Sequence, residues 1–89
     1  MTYRNESSAL TALGATALVV QGNRYPLPTT FTLKSADATR KIEFSTDGGI
    51  EYFTPVYDVN STTMLVVVSK SGISHVRFTG LATDAWSAS

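Results

Sequence analysis

Residues 64–68 read Met-Leu-Val-Val-Val, an unbroken apolar run of five side chains. That is far short of the ~20 residues a helix needs to cross a membrane. The three valines favour a strand. Side chains along a strand alternate between faces, so this segment is apolar on both of them. A strand of that kind is normally covered on both sides. The chain has 89 residues, enough for one domain with a thin core; folding at this size removes roughly 60–65 % of the unfolded surface from water. One face of the run is therefore expected to pack on the domain's own interior. The other, carrying Met64, Val66 and Val68, is expected to pack on a neighbouring subunit.

The rest of the sequence fits short strands. Residues 2–8 show no period and read as an arm. Leu10 and Leu13 have helical spacing, but Gly14 and Thr16 interrupt any helix, leaving a turn or a short helical piece at most. A strand is predicted over 15–21, with a Gly22-Asn23 turn after it. Tyr25, Leu27, Thr29, Phe31 and Leu33 share one face. Pro26 and Pro28 have the opposite parity, which predicts an edge position for the start of that strand. "KSADATR" reads as a turn. In "KIEFSTDGGIEYF", Ile42 and Phe44 oppose Lys41 and Glu43, and the pattern predicts a hairpin with a three-residue loop that sets Phe44 opposite Ile50 or Tyr52. Pro55 ends or bulges that strand and "YDVNST" reads as a loop. A second hairpin, closed at Ser71-Gly72, is predicted to pair Val67 with Val76 and Leu65 with Phe78. The expected fold is all-β: a small β-sandwich or barrel of about six antiparallel strands in a single domain over 1–89.

Charge and composition exclude several function classes. Seven basic and seven acidic residues balance to zero, and no basic block offers the electrostatic footprint of a nucleic-acid binder. No membrane partner is expected. The first ten residues lack a basic segment followed by an apolar stretch, so they do not read as a secretory signal. Met1 is the expected start of a full-length cytosolic product. With no cysteine and one histidine, disulfides and the usual zinc ligands are missing, and no cofactor is expected. Serine and threonine make up 23 of the residues, so the surface is polar mainly through hydroxyls.

Candidate chemistry is sparse. Glu43, Asp47 and Glu51 lack the ligand spacing of a calcium loop. As a pair of glycosidase carboxylates, Glu43 and Glu51 would need a cleft, yet both are expected on a solvated hairpin face balanced by Arg40 and Lys41. Ser74 and His75, with Asp58 or Asp84, contain triad residue types, but neighbours on a strand point apart and no nucleophile elbow is present. The chain is thus expected not to be an enzyme. Tyr52, Phe53, Tyr57 and Trp86 could stack on sugar rings in a carbohydrate-binding module. Aromatic side chains are also enriched at the centres of protein interfaces, and subunit contact is the preferred reading for Phe53 and Tyr57.

At "LTALGATALVVQGNRY", "RKIEFSTDGGIEYFTP" and "ISHVRFTG", over roughly residues 10–80, the chain resembles small β-rich structural proteins of bacteriophage virions. That resemblance implies a virion component without catalytic residues, assembled in the host cytoplasm. It would be a capsid decoration protein or a tail or neck accessory. Its partners would be itself or other virion proteins, major capsid or tail proteins among them. The predicted interface residues are Phe53, Tyr57, Met64, Val66 and Val68, with the N-terminal arm as a tether.

Overall fold

The computed structural model describes residues 10–21, 28–69 and 72–89. The predicted arm, the Gly22-Asn23 turn, Tyr25, Pro26, Leu27 and Ser71 lie outside the described residues. The described residues form eight strands: β1 (Thr11–Ala12), β2 (Ala17–Gln21), β3 (Thr29–Lys34), β4 (Lys41–Ser45), β5 (Val59–Asn60), β6 (Met64–Ser69), β7 (His75–Thr79) and β8 (Ala85–Ala88). They form two antiparallel sheets, a five-stranded one in the order β1-β8-β3-β6-β5 and a three-stranded one in the order β2-β7-β4. The architecture is an all-β sandwich rather than a closed barrel.

The alternation of side chains assigns the faces as the sequence predicts. Phe31, Leu33, Leu65 and Val67 from the large sheet meet Ile42, Phe44, Val76 and Phe78 from the small one, and all are buried. Trp86 and Ala88 of β8 complete the interior, and Leu13 plugs it from the β1–β2 connection. Four rings run through this core. Phe44 meets Phe31 at 6.0 Å, Phe31 meets Phe78 at 6.1 Å, and Phe78 meets Trp86 at 5.1 Å between centroids. Separations of this size suit tilted and edge-on aromatic packing. The accessible surface, 4947 Å², is close to the roughly 5,100 Å² expected of a folded chain of this mass.

The pairing differs from the local hairpins that the sequence suggests. Val67 and Val76 lie in different sheets: β6 pairs with β3 and β5, whereas β7 pairs with β2 and β4. The face of β6 carrying Met64, Val66 and Val68 therefore does not oppose His75 and Arg77. No strand follows the Asp47-Gly48-Gly49 turn. Only Phe53 rejoins β4, exchanging both backbone hydrogen bonds with Phe44 at 2.9 Å. From Thr29 onward β3 is the central strand of its sheet, and most of the segment for which an edge was predicted, Tyr25 to Leu27, lies outside the described residues. Pro28 precedes its first residue, so no ladder donor is lost there. Thr11 and Ala12 pair with β8 where a turn or helical piece was expected, and Val59-Asn60 pairs with β6 inside the expected loop.

At the corner between β7 and β8, Gly80 is needed for close approach. A Cβ there would stand 2.7 Å from Asp84 Oδ2. That oxygen accepts from Ser35 Oγ at 2.5 Å and from the Leu81 amide at 2.7 Å, tying the turn to the end of β3.

Candidate interaction surfaces

Directly opposed residues of antiparallel strands share a face. On the outer face of the large sheet the ladder registers place Val59, Val66, Thr32 and Ser87 in one row. A second row holds Met64, Lys34, Ala85 and Ala12, and Val68 stands beside Thr30. Val59 is 40 % exposed, and Met64, Val66 and Val68 are half-buried. Lys34 is the one charged residue among these rows. Asp58, at the border, spends a carboxylate oxygen on the Val68 amide at 3.0 Å. The result is a shallow face of valine, threonine, alanine and serine.

The other two predicted interface residues lie elsewhere. Tyr57 packs half-buried against the core and turns its hydroxyl to β4, accepting from the Ile42 amide and donating to the Ile42 carbonyl, both at 3.0 Å. Burial pushes its phenol pKa above the ordinary value. Phe53 is 48 % exposed, with its ring edge-on to Phe44 at 6.2 Å. Between them, Phe53 and Tyr57 occupy the outward backbone groups of β4 at Phe44 and Ile42 and close that sheet edge. The five residues thus divide between the valine face and the β4 flank. Val59, which belongs to the first group, is a single valine in a polar stretch and gave no periodic signal.

The outer face of the small sheet is polar and is partly roofed by residues 46–52. Glu43 points outward as its parity requires, but it is buried rather than solvated. Arg77 holds its Oε1 from Nε at 3.0 Å and from Nη2 at 2.9 Å, and Lys41 stands 3.9 Å from Oε2. Tyr52 covers Arg77, with the guanidinium 4.0 Å from the ring centroid, in cation–π range. Arg40 turns away to the carbonyls of Asp37 and Ser61.

The roof itself is built by side chains that replace missing ladder bonds. Asp47 Oδ1 accepts from Ser45 Oγ at 2.8 Å and from the Glu51 amide at 3.0 Å. These bonds, the Glu51 amide foremost, hold the Asp47 carboxyl below its ordinary pKa. Gly48 and Gly49 both have positive φ, 80° and 88°, so both glycines serve the backbone path although the predicted hairpin does not form.

Of the candidate catalytic groups, Ser74 Oγ lies 3.2 Å from His75 Nδ1, contrary to the expectation that they point apart. Ser74 precedes β7, where its amide bonds Ser45 O at 2.8 Å, and strand alternation does not bind it. Its hydroxyl donates to Ser45 O at 3.1 Å and accepts from the Gly48 amide at 2.9 Å, so it ties two loops together. Of the candidate sugar platforms, Trp86 is 5 % exposed inside the core and is unavailable for stacking. Tyr52 and Phe53 line a depression of about 280 Å³ with Thr46, Asp47 and Glu51. Among the described residues no group of three or more potential ligands could hold a metal ion, and no helix is long and apolar enough to cross a membrane.

No protein-family model, curated protein or solved structure matches this chain.

Proposed function

We propose that this protein is a structural component of a bacteriophage virion, a capsid decoration protein that docks on the shell through the outer face of its five-stranded sheet. The observation that supports this reading is the valine face: Val59, Met64, Val66 and Val68 remain at the surface beside Thr30 and Thr32, with one charge among them. A β surface with a single charge, Lys34 at the last residue of β3, suits burial against a protein, because only that one ion has to keep its water and its long stem can carry it to the rim. A tail or neck accessory role would use the same face. The resemblance to virion proteins supplies the particle context.

The test begins with particles that copurify with the chain, identified by mass spectrometry. Val66→Asp is then compared with wild type for retention on assembled shells. The side chain is half-buried on an outer face, so the fold is expected to persist by circular dichroism. Retention is expected to fall tenfold or more, equivalent to about 1.4 kcal/mol. Unchanged retention would remove the face from the contact, and a chain found in no particle would remove the virion reading itself.

A second reading follows from the depression beside Tyr52 and Phe53, where two rings and two carboxylates adjoin, as in a carbohydrate-binding module. A glycan array answers it: no bound sugar, or equal binding by Phe53→Ala, discards it.

A further inference from the structure

Among the described residues, the small sheet ends in one edge that lacks the protection the other edges have. β1 and β5 are edges of two residues each, and β4 is closed by Phe53 and Tyr57. β2 is a five-residue edge strand with β7 on one side only. The phase of the β2–β7 ladder follows from two bonds. Gly80 donates to Thr16 O at 3.1 Å, so Leu18 and Val20 make the ladder bonds to Phe78 and Val76. Phe44 turns its own backbone groups to Phe53, which leaves Arg77 bonding Glu43 and frees Val76 and Phe78 for β2. The amides and carbonyls of Ala17, Val19 and Gln21 therefore point away from the sheet.

That edge carries no charged residue and no proline, the devices that normally discourage strand addition. Its free groups at 17, 19 and 21 are symmetric about 19. Laid antiparallel against a second copy, residue 19 faces 19 and residue 17 faces 21, and every outward amide meets a carbonyl in about six hydrogen bonds. No like charges meet along the seam. The nearest ion on the outer face, Arg77 beside Val19, is already neutralised by Glu43. Val19 is 47 % exposed and would cover its own symmetry mate.

We infer that β2 is a homodimerisation edge: two copies join antiparallel about a two-fold axis at Val19, making one continuous six-stranded sheet. The interface is isologous, as two-fold symmetry requires. It lies in the opposite sheet from the valine face, so it stands whether or not that face binds a shell.

Sedimentation of the intact chain over a concentration series is expected to show a reversible monomer–dimer equilibrium. Val19→Pro removes an amide that bonds nothing within the chain, so the circular dichroism spectrum is expected to persist while the dimer is lost. Val19→Cys supplies the chain's single thiol, and opposed Cα atoms at a hydrogen-bonded pair lie about 5.5 Å apart, within disulfide reach. Mild oxidation is therefore expected to cross-link it, whereas Ala17→Cys, opposite Gln21, stays uncross-linked. A chain that remains monomeric to about 1 mM, a dissociation constant near the weak limit of specific pairing, overturns the inference. So does a dimer that survives Val19→Pro or cross-links equally through residue 17. If Val19→Pro unfolds, the comparison of the two cysteine positions decides alone.

Discussion

Tyr57→Phe deletes one oxygen atom and with it both bonds that cap Ile42 on the β4 edge. The ring can stay in place against the core, so little packing is lost. A hydrogen bond contributes roughly 0.5–1.5 kcal/mol net, giving about 1–3 kcal/mol for the two. The hydroxyl is only half-buried, and water entering the vacated position offsets part of that loss, which sets the expectation at about 1–2 kcal/mol. For a domain of this size the melting temperature should fall by roughly 5–15 °C. Urea unfolding followed by Trp86 fluorescence measures the change, because that indole is buried against Phe78 and becomes wet on unfolding.

The same residue carries a pH signature. Burial raises the folded-state phenol pKa above 10.0, so the neutral form is favoured in the native state. The associated stability is fully present below pH 10, where the unfolded chain is also protonated. It declines as pH rises from there through the folded pKa. The phenylalanine variant should lack this alkaline decline. A variant as stable as wild type within about 0.5 kcal/mol, or one with an unchanged alkaline limb, would refute the idea that this hydroxyl closes the edge.

Two further outcomes follow from the turns. Gly80→Ala places a methyl 2.7 Å from the Asp84 carboxylate and should cost about 1–3 kcal/mol in urea unfolding; adding Asp84→Ala should make the combined loss smaller than the sum of the two single losses. Asp47→Asn removes a carboxylate whose pKa is depressed below 3.8 by the Glu51 amide and the Ser45 hydroxyl. Its stabilisation is present above that pH and disappears as pH falls through the folded pKa, so the variant's acid unfolding curve should be flatter below about pH 4.

Which side of β3, β4, β6 and β7 faces inward was legible from the sequence, because a two-residue period reports a face directly. Ile42 with Phe44, Leu65 with Val67, and Phe31 with Leu33 all behave as their parity predicts. Which strand lies beside which was not legible. Parity is equally satisfied by a local hairpin and by a partner fifty residues away. Val67 and Val76 both point inward as expected, but from opposite sheets. Glu43 shows a second limit. Its outward direction was correct, yet its burial depends on Tyr52 and the 46–52 roof, whose path is set by Asp47 and Ser45 side-chain bonds rather than by any period. The valine face followed from the unbroken run at 64–68, while Val59 joined it only through a two-residue ladder.

The chain changes sheets at every connection except the one from β5 to β6. Leu33, on the central strand, has Leu65 on one side and Trp86 on the other, separations of roughly thirty and roughly fifty residues. Long segments must lose their freedom before either neighbour arrives, and this entropy cost precedes most of the contact energy. Such topologies collapse late and slowly, on the millisecond-to-second scale. While β8 is still undocked, β3 shows a bare flank to every other nascent copy nearby, so yield on refolding should depend on dilution more than on temperature.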